Sequence, residues 1–418
     1  DIAPYLEPRL EEALVAEIDA GGIGRLQMSG LRTPAPRSGL SCFNSFDADT
    51  HVLMADGTTK PIAEIKIGDR VLGGDAPCYI IAEAGVNHGC RMDMARRMID
   101  EAKAAGADAI KFQTYRAETL TTRWAPRYWE DPPTDQTQYT YFQQSDDFGR
   151  EDYEALFEHT RDVGIEYLTT PFDLEAVQWM ADLGMAAYKI ASADLTDWPL
   201  LDAAAAQGVP LIISTGGATL DEVRDVIDHC VAIGNDQLVL LHCILSYPAP
   251  DEDMNLRRIP LLIREFPEVV IGLSCHSIPD PCVTVPTAAV ALGAKVVEVH
   301  FTLDKTLPGV DHTLSVDPGG LRRLVANTRI VEAALGSEEF VVLPCEQRAR
   351  LYARRSIIAA VDLPAGTVLT REHLIMKRPG TGVSPTRTEE MIGRTIVRDI
   401  EEDRLVTWDD LEGGEPAD

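Results

Sequence analysis

The run YIIAEAG at Tyr79–Gly85 reads as a strand buried on both faces, and it carries a carboxylate, Glu83, near its end. Seven runs of the same kind follow: 109–113 (AIKFQ), 166–172 (EYLTTPF), 187–192 (AYKIAS), 210–216 (PLIISTG), Leu238–Cys243 (LVLLHC), 269–276 (VVIGLSCH) and 295–301 (KVVEVHF). Short, near-continuous apolar segments mark parallel strands, because a sheet covered by helices on both faces has no wet side to alternate toward. Helical patterns fill the intervals. Met92–Ala105 repeats apolar residues at helical spacing and stops at Gly106, and 150–163, 220–234 and Pro318–Leu335 behave likewise. Eight strand and helix units predict an α/β chain built on a (β/α)8 TIM barrel, whose functional side chains stand at the carboxyl ends of the strands. Those ends, in order, are Glu83, Lys111 with Gln113, Thr169 with Thr170, Lys189 with Ser192, Ser214 with Thr215, His242, Ser274 with His276, and Glu298 with His300.

His276 and His300 end the seventh and eighth strands, which are neighbours in a barrel. Two imidazoles there suit one divalent metal with positions left open for water or substrate, and Mn or Mg fits such a sparse nitrogen set better than a structural zinc. The plainer alternative is two rim histidines that only hydrogen-bond. Lys111 and Lys189, with Ser192, Ser214 and Ser274, supply the donors that a phosphate and a carboxylate need. Salt bridges to Glu83, Asp194 or Glu298, or a Schiff-base lysine, are the competing readings. Glu83 reads either as a group that orients a hydroxyl or moves a proton, or as half of an inert ion pair.

Composition narrows the partners. The chain has 418 residues, 38 basic and 67 acidic, for a formal charge of -29. That balance opposes nucleic acid and anionic membranes, so an anionic substrate must be met by a few local lysines. No apolar run is long enough to span a bilayer, and the acidic start DIAPYLEPRLEEALVAEID is not a signal peptide. Eight cysteines without a CxxC pair suit a reducing compartment. The expectation is a cytoplasmic protein.

Organisation along the chain follows. Residues 1–41 form an extension with one short helix and a Gly, Pro and Ser-rich loop. Residues 42–75 (CFNSFDADTHVLMADGTTKPIAEIKIGDRVLGGD) are β-type, with turns at Asp56–Gly57 and Gly68–Asp69. This stretch resembles the opening block of Hint domains, with Ser45 at the place of that family's first nucleophile. The family's later blocks are missing, so a truncated fragment is expected, and removing 1–75 is expected to leave the barrel intact. The barrel takes 76–337, a linker 338–352, a small β-rich domain 353–412, and a disordered tail 413–418.

The segments IIAEAGVNHG (80–89), KFQTY (111–115), TTPF (169–172), YKIASAD (188–194), ISTGG (213–217), LLHC with SYPAP (240–250), IGLSCHS (271–277), EVHFT (298–302) and PGVDHTLSVDP (308–318) resemble the sialic acid synthase family. The later ARRSIIAAVDLPAGTVLT and KRPGTG look like its antifreeze-like (β-clip) domain. The resemblance runs in order from about 77 to 412. It implies condensation of phosphoenolpyruvate with an open-chain N-acylated amino sugar, N-acetylmannosamine favoured, to a nine-carbon 2-keto acid and phosphate. It implies that His276 and His300 hold Mn or Mg, that Lys111, Thr170, Lys189, Ser192, Ser214 and Ser274 bind phosphoenolpyruvate, and that Glu83 acts at the reacting centre beside Glu298. Gln113, Tyr247 and Asp311 would line the sugar side. Arg378 would reach the N-acyl group from a partner subunit, which implies a domain-exchanged homodimer. Cys275, Leu245, Asp194 and Thr381 depart from the family pattern and point to a relative of N-acetylmannosamine, such as the diacetamido dideoxy sugar that leads to legionaminic acid. A two-histidine metal hydrolase and a catalytically lapsed sugar-binding fusion are the rival readings.

Overall fold

The computed structural model describes residues 51–53, 59–61, 64–129 and 136–416. The extension 1–41, Ser45 and the Asp56–Gly57 turn lie outside the described residues. Four short strands come first: β1 (His51–Leu53) pairs antiparallel with β2 (Thr59–Pro61), and β3 (Glu64–Ile67) with β4 (Arg70–Gly73). Gly68, at φ +55°, makes the tight turn between β3 and β4 that a side chain would strain.

Eight parallel strands then form the barrel: β5 (Tyr79–Gly85), β6 (Ala109–Thr114), β7 (Glu166–Pro171), β8 (Tyr188–Ile190), β9 (Leu211–Ser214), β10 (Leu238–Cys243), β11 (Val270–Cys275) and β12 (Val296–His300). They are hydrogen-bonded in the order β7-β6-β5-β12-β11-β10-β9-β8, so the last strand pairs with the first. The helices that follow them in turn are α1 (Met92–Ala105), α2 (Arg150–Val163), α3 (Leu174–Asp182), α4 (Trp198–Ala205), α5 (Leu220–Ala232), α6 (Arg258–Glu265), α7 (Thr284–Ala291) and α8 (Pro318–Leu335). The α/β expectation and its (β/α)8 barrel are thus observed. Helix α1 ends at Gly106, whose φ of +90° lets its N–H return to the carbonyls of the last turn. Helix α8 closes the ring: Arg329 donates to the Cys78 carbonyl at 3.0 Å, and the Cys78 N–H donates to Glu332.

Inside the barrel the lower half is apolar. Tyr79, Ile81, Ala109, Leu168, Ala187, Ile212, Val239, Leu241, Val270 and Val296 form one cluster, and Ile67 and Leu72 of the β3–β4 hairpin complete it from below. The hairpin is therefore the floor of the barrel, and the boundary expected at 76 cuts through a single core. Removing 1–75 would uncover that floor, contrary to the expectation from sequence. The reason is packing: both hairpin side chains are fully buried.

The small domain has its own core of Ile357, Ala359, Leu363, Leu369, Met391, Ile396 and Val406, under β13 (Ser356–Ala359) and β14 (Leu374–Lys377). Single bridges such as Leu363 with Ile400 and Ile396 with Leu411 join its other short runs. The tail expected to be disordered from 413 is tied down as far as Glu415: Arg387 pairs with Glu415, and Arg394 donates to the Gly414 carbonyl. The seven cysteines among the described residues are free, and no described helix is long and apolar enough to cross a membrane.

Ile67→Ala is expected to destabilise the protein by about 2 to 5 kcal/mol, because the barrel floor cannot collapse onto the space left. Urea unfolding checks this; a change within error of zero would show that the hairpin is only a surface appendage.

Candidate active site

The upper half of the barrel reverses the chemistry of the lower half. Strand pairing sets Glu83 opposite Lys111 and His300 in one row, and Cys243, Ser274 and Glu298 side by side in another, so the polar side chains gather at the carboxyl ends of the strands. Each has a fully paired strand beneath it, which fixes its height and direction.

Lys111 is the centre of this layer. Its Nζ lies 2.5 Å from Glu83 Oε2, donates to Thr170 Oγ1 at 3.0 Å, and stands 3.8 Å from Glu298 Oε2. Lys189 is 4.0 Å from Glu298 Oε1 and donates to the Ile190 carbonyl at 3.1 Å. Ser274 donates to Glu298 at 2.9 Å, and Gln113 donates to Glu83 at 3.0 Å. All four charged groups are buried. Burial pushes the Glu83 carboxyl up to about 7 against the opposing pull of Lys111. Burial acts the same way on Glu298, but Lys111 and Lys189 together overcome it and hold that carboxyl down at about 2. Burial lowers Lys189, whereas Glu298 and Glu83 outweigh burial at Lys111 and raise it. Neighbouring carboxylates with values driven apart make an acid and base pair available near neutral pH.

The two histidines stand beside this layer, their ring centroids 5.3 Å apart. His276 Nδ1 donates to the Ile244 carbonyl at 2.8 Å, which makes Nε2 the acceptor nitrogen of a neutral ring, with Cys243 Sγ 4.0 Å from it. His300 Nδ1 is buried without a hydrogen-bond partner, with Asp311 Oδ2 3.5 Å away. Two imidazole nitrogens each about 2.1 Å from a shared ion place their rings about 5 Å apart, so the observed spacing fits a divalent cation. Among the described residues no three of His, Cys, Asp and Glu form a ready metal cage. Ser214 Oγ and Glu298 Oε2 are likewise buried without hydrogen bonds, as expected of groups shaped for a ligand.

The structure thus brings together Glu83, Lys111, Gln113, Thr170, Lys189, Ser274, Glu298, His276 and His300 in one contact network or its edge. Ser192 sits in the turn after β8, where its Oγ accepts from the Gly216 N–H at 2.9 Å. Tyr247 lies on His276, centroids 4.2 Å apart, and meets His300 at 6.0 Å. Arg378 is exposed on the small domain and joins none of these groups within the chain.

Three positions differ from the sequence reading. His242, taken as a strand-end group, faces outward and engages the Met254 carbonyl at 2.7 Å. Cys243 faces inward instead, its Sγ 3.7 Å from His276 Nδ1. Parity along β10 would have shown this, because Leu241 belongs to the inner floor and the residue two further on shares its side. Cys275, which departs from the family pattern beside His276, does not orient that ring. The Ile244 carbonyl does that work here, and Cys275 instead contacts Ser277, 3.3 Å from Sγ to Oγ.

A (β/α)8 barrel with buried lysine and carboxylate pairs beside two histidines at its carboxyl rim is the architecture of an enzyme that handles a small anion. The model of the NeuB family matches residues 98–340 and that of the SAF domain matches 354–412. The chain belongs to the NeuB family, the sialic-acid-synthase-like enzymes. It is 39% identical over 352 residues to the N,N'-diacetyllegionaminic acid synthase of Legionella pneumophila, covering 82% of this chain and 98% of that one. It is 37% identical over 342 residues to the N-acetylneuraminate-9-phosphate synthase of Homo sapiens, covering 81% and 93%. The solved N-acetylneuraminic acid synthetase of Leptospira borgpetersenii superposes with a TM-score of 0.61 at 34% identity, covering 69% of this chain and 95% of that one.

Glu83 generates a pH prediction. Its folded value of about 7 lies above the ordinary 4.5, so the protein takes up a proton here on folding. The stability present below the unfolded value is lost as pH rises from about 4.5 through 7, with a slope of up to about 1.4 kcal/mol per pH unit. Urea unfolding at pH 5, 6 and 7 is expected to show less of this decline in Glu83→Gln than in the parent, and equal slopes would refute the raised carboxyl.

Proposed function

We propose that the chain condenses phosphoenolpyruvate with the aldehyde of an open-chain N-acetylhexosamine, N-acetylmannosamine favoured, to give a nine-carbon 2-keto acid and phosphate. The observation that carries this reading is the buried pair Lys111 and Lys189, set with Glu83 and Glu298 beside two histidines. A hydrolase on the same barrel would need no such pair.

Lys111, Lys189, Ser192, Ser214 and Ser274, with Thr170, would hold the phosphate and carboxylate of phosphoenolpyruvate. His276 and His300 would hold Mn or Mg, which supplies a Lewis acid to steady the charge that develops on the aldehyde oxygen. C3 of the enol phosphate attacks the aldehyde carbon, and the former carbonyl oxygen takes up a proton to become a hydroxyl. Glu83, whose carboxyl burial raises toward neutrality, would give that proton. Water adds at C2 and loses a proton, and the resulting hemiketal phosphate breaks its C–O bond to release phosphate and the ketone. Gln113 orients Glu83, and Tyr247 and Asp311 line the acceptor side. A diacetamido dideoxy acceptor is the second reading, favoured by Leu245, 37% exposed, and by Asp194, whose Oδ2 is buried without a partner.

Phosphate release with phosphoenolpyruvate, Mn and each sugar in turn, with mass detection of the keto acid, tests the class and the acceptor together. Tight sugar binding without turnover in metal-replete protein would instead support the lapsed-enzyme reading. His300→Ala is expected to abolish bound Mn, read by electron paramagnetic resonance, and to lower turnover by about 10² or more. Near-normal binding would remove the histidines from the metal site.

The exposed position of Arg378 supports a domain-exchanged homodimer, in which it reaches a partner's sugar. So does the apolar linker run Phe340, Val341 and Leu343, which stands exposed in the single chain. Mixed dimers of His300→Ala and Arg378→Ala would contain one intact site of two. Co-refolding the two inactive variants is expected to recover about a quarter of parental activity, whereas no recovery would place Arg378 in its own chain's site or in none.

A further inference from the structure

Between β6 and α2 the chain carries an aromatic strap that the reaction above does not use. Trp129 meets Tyr141 at 4.9 Å and Phe142 at 5.9 Å between ring centroids, and only 6% of it is exposed. The Tyr141 hydroxyl accepts from the Val310 N–H at 3.2 Å, one residue before Asp311. Tyr128 packs edge-on against Trp129 at 4.8 Å and on its other side reaches Tyr247 at 6.0 Å. Since Tyr247 lies on His276, Tyr128 is one ring away from the imidazole pair. Burial first, and then the charges of Asp311 and Asp194, push its hydroxyl up from the ordinary phenol value. Yet Tyr128 remains 55% exposed, so an aromatic ring fixed from behind offers a surface at the mouth of the site.

We propose that Tyr128 is an acceptor-binding residue, its ring lying against the C–H face of the sugar chain and its hydroxyl bonding to a sugar hydroxyl or amide. An aromatic body with a polar tip suits a carbohydrate, which presents patches of C–H surface between donors and acceptors. Its ring contacts place Tyr128 on the Tyr247 side, assigned to the acceptor, rather than with the lysines assigned to the phosphate. The strap would thus contribute to acceptor affinity while leaving the binding of phosphoenolpyruvate alone.

This inference rests on the condensation reading, and the experiment separates the two. Steady-state kinetics of the full chain would be measured with Mn, phosphoenolpyruvate and N-acetylmannosamine or the diacetamido sugar, for the parent, Tyr128→Ala and Tyr128→Phe. Tyr128→Ala is expected to raise KM for the sugar about tenfold, with KM for phosphoenolpyruvate within about twofold of the parent. Tyr128→Phe is expected to fall between, which separates the ring from the hydroxyl. An unchanged sugar KM, or an equal rise in both KM values, would overturn the assignment. Calorimetric titration of the same sugars into the folded variants gives a second readout independent of turnover. If the parent binds a sugar without turning it over, the condensation reading fails, while weaker binding by Tyr128→Ala still upholds Tyr128 and equal binding overturns it. A parent that neither binds nor turns over either sugar overturns both.

Discussion

The contact between Lys111 and the two carboxylates Glu83 and Glu298 is the constraint on which the upper barrel depends. An unpaired charge at that depth costs several kcal/mol of desolvation. Each of these groups therefore requires the others, and removing one leaves its neighbours exposed to that cost. The pairing is also uneven. Lys111 has two carboxylates and a threonine, while Lys189 has one carboxylate at 4.0 Å and a backbone carbonyl. Both lysines hold Glu298 down against burial, whereas burial, aided by the charge of Glu298, raises Glu83 against the pull of Lys111. One buried network thus drives the titration of two neighbouring carboxylates in opposite directions.

That layer is affordable only because the layer beneath it is dry. The floor of Tyr79, Ile81, Leu168, Ile212, Leu241 and their neighbours excludes water from below, and Ile67 and Leu72 seal it. A sealed floor keeps the local dielectric low, and low dielectric strengthens every ion pair above it. Stability and chemistry are therefore coupled through the hairpin, although it contributes no polar group to the site.

The barrel was legible in the sequence because buried parallel strands print themselves as apolar runs, and their polar termini follow directly. Helices α1 and α8 were legible to the residue, since Gly106 and the Asp317 cap mark their limits. The hairpin was not. IKIGDRVL alternates as any half-exposed hairpin does, and nothing local says which surface its apolar face will cover, so its likeness to a Hint block prevailed. His242 was misread because the last polar letter of a strand need not face inward; side alternates residue by residue, and the floor residue Leu241 sets the parity for Cys243. Tyr128 was silent for another reason. Its significance lies in meeting Tyr247 from far along the chain, and no periodic pattern encodes a contact between two loops.

A chain with a net charge of -29 that binds a multiply charged enol phosphate must overcome its own long-range field. Surface cations would do this poorly, since salt screens them within about 10 Å. Cations buried among fixed partners act at short range in a medium that screens little, and they are held in place before the ligand arrives. The cost is that Lys111 is already engaged. In the proposed reaction a protonated Glu83 would resolve the conflict: neutral, it would release much of its hold on Lys111 and leave that ammonium to an incoming anion. On that proposal the raised carboxyl and the buried lysine would act as one device, because the proton that weakens the Glu83 to Lys111 contact would also be the one available for transfer.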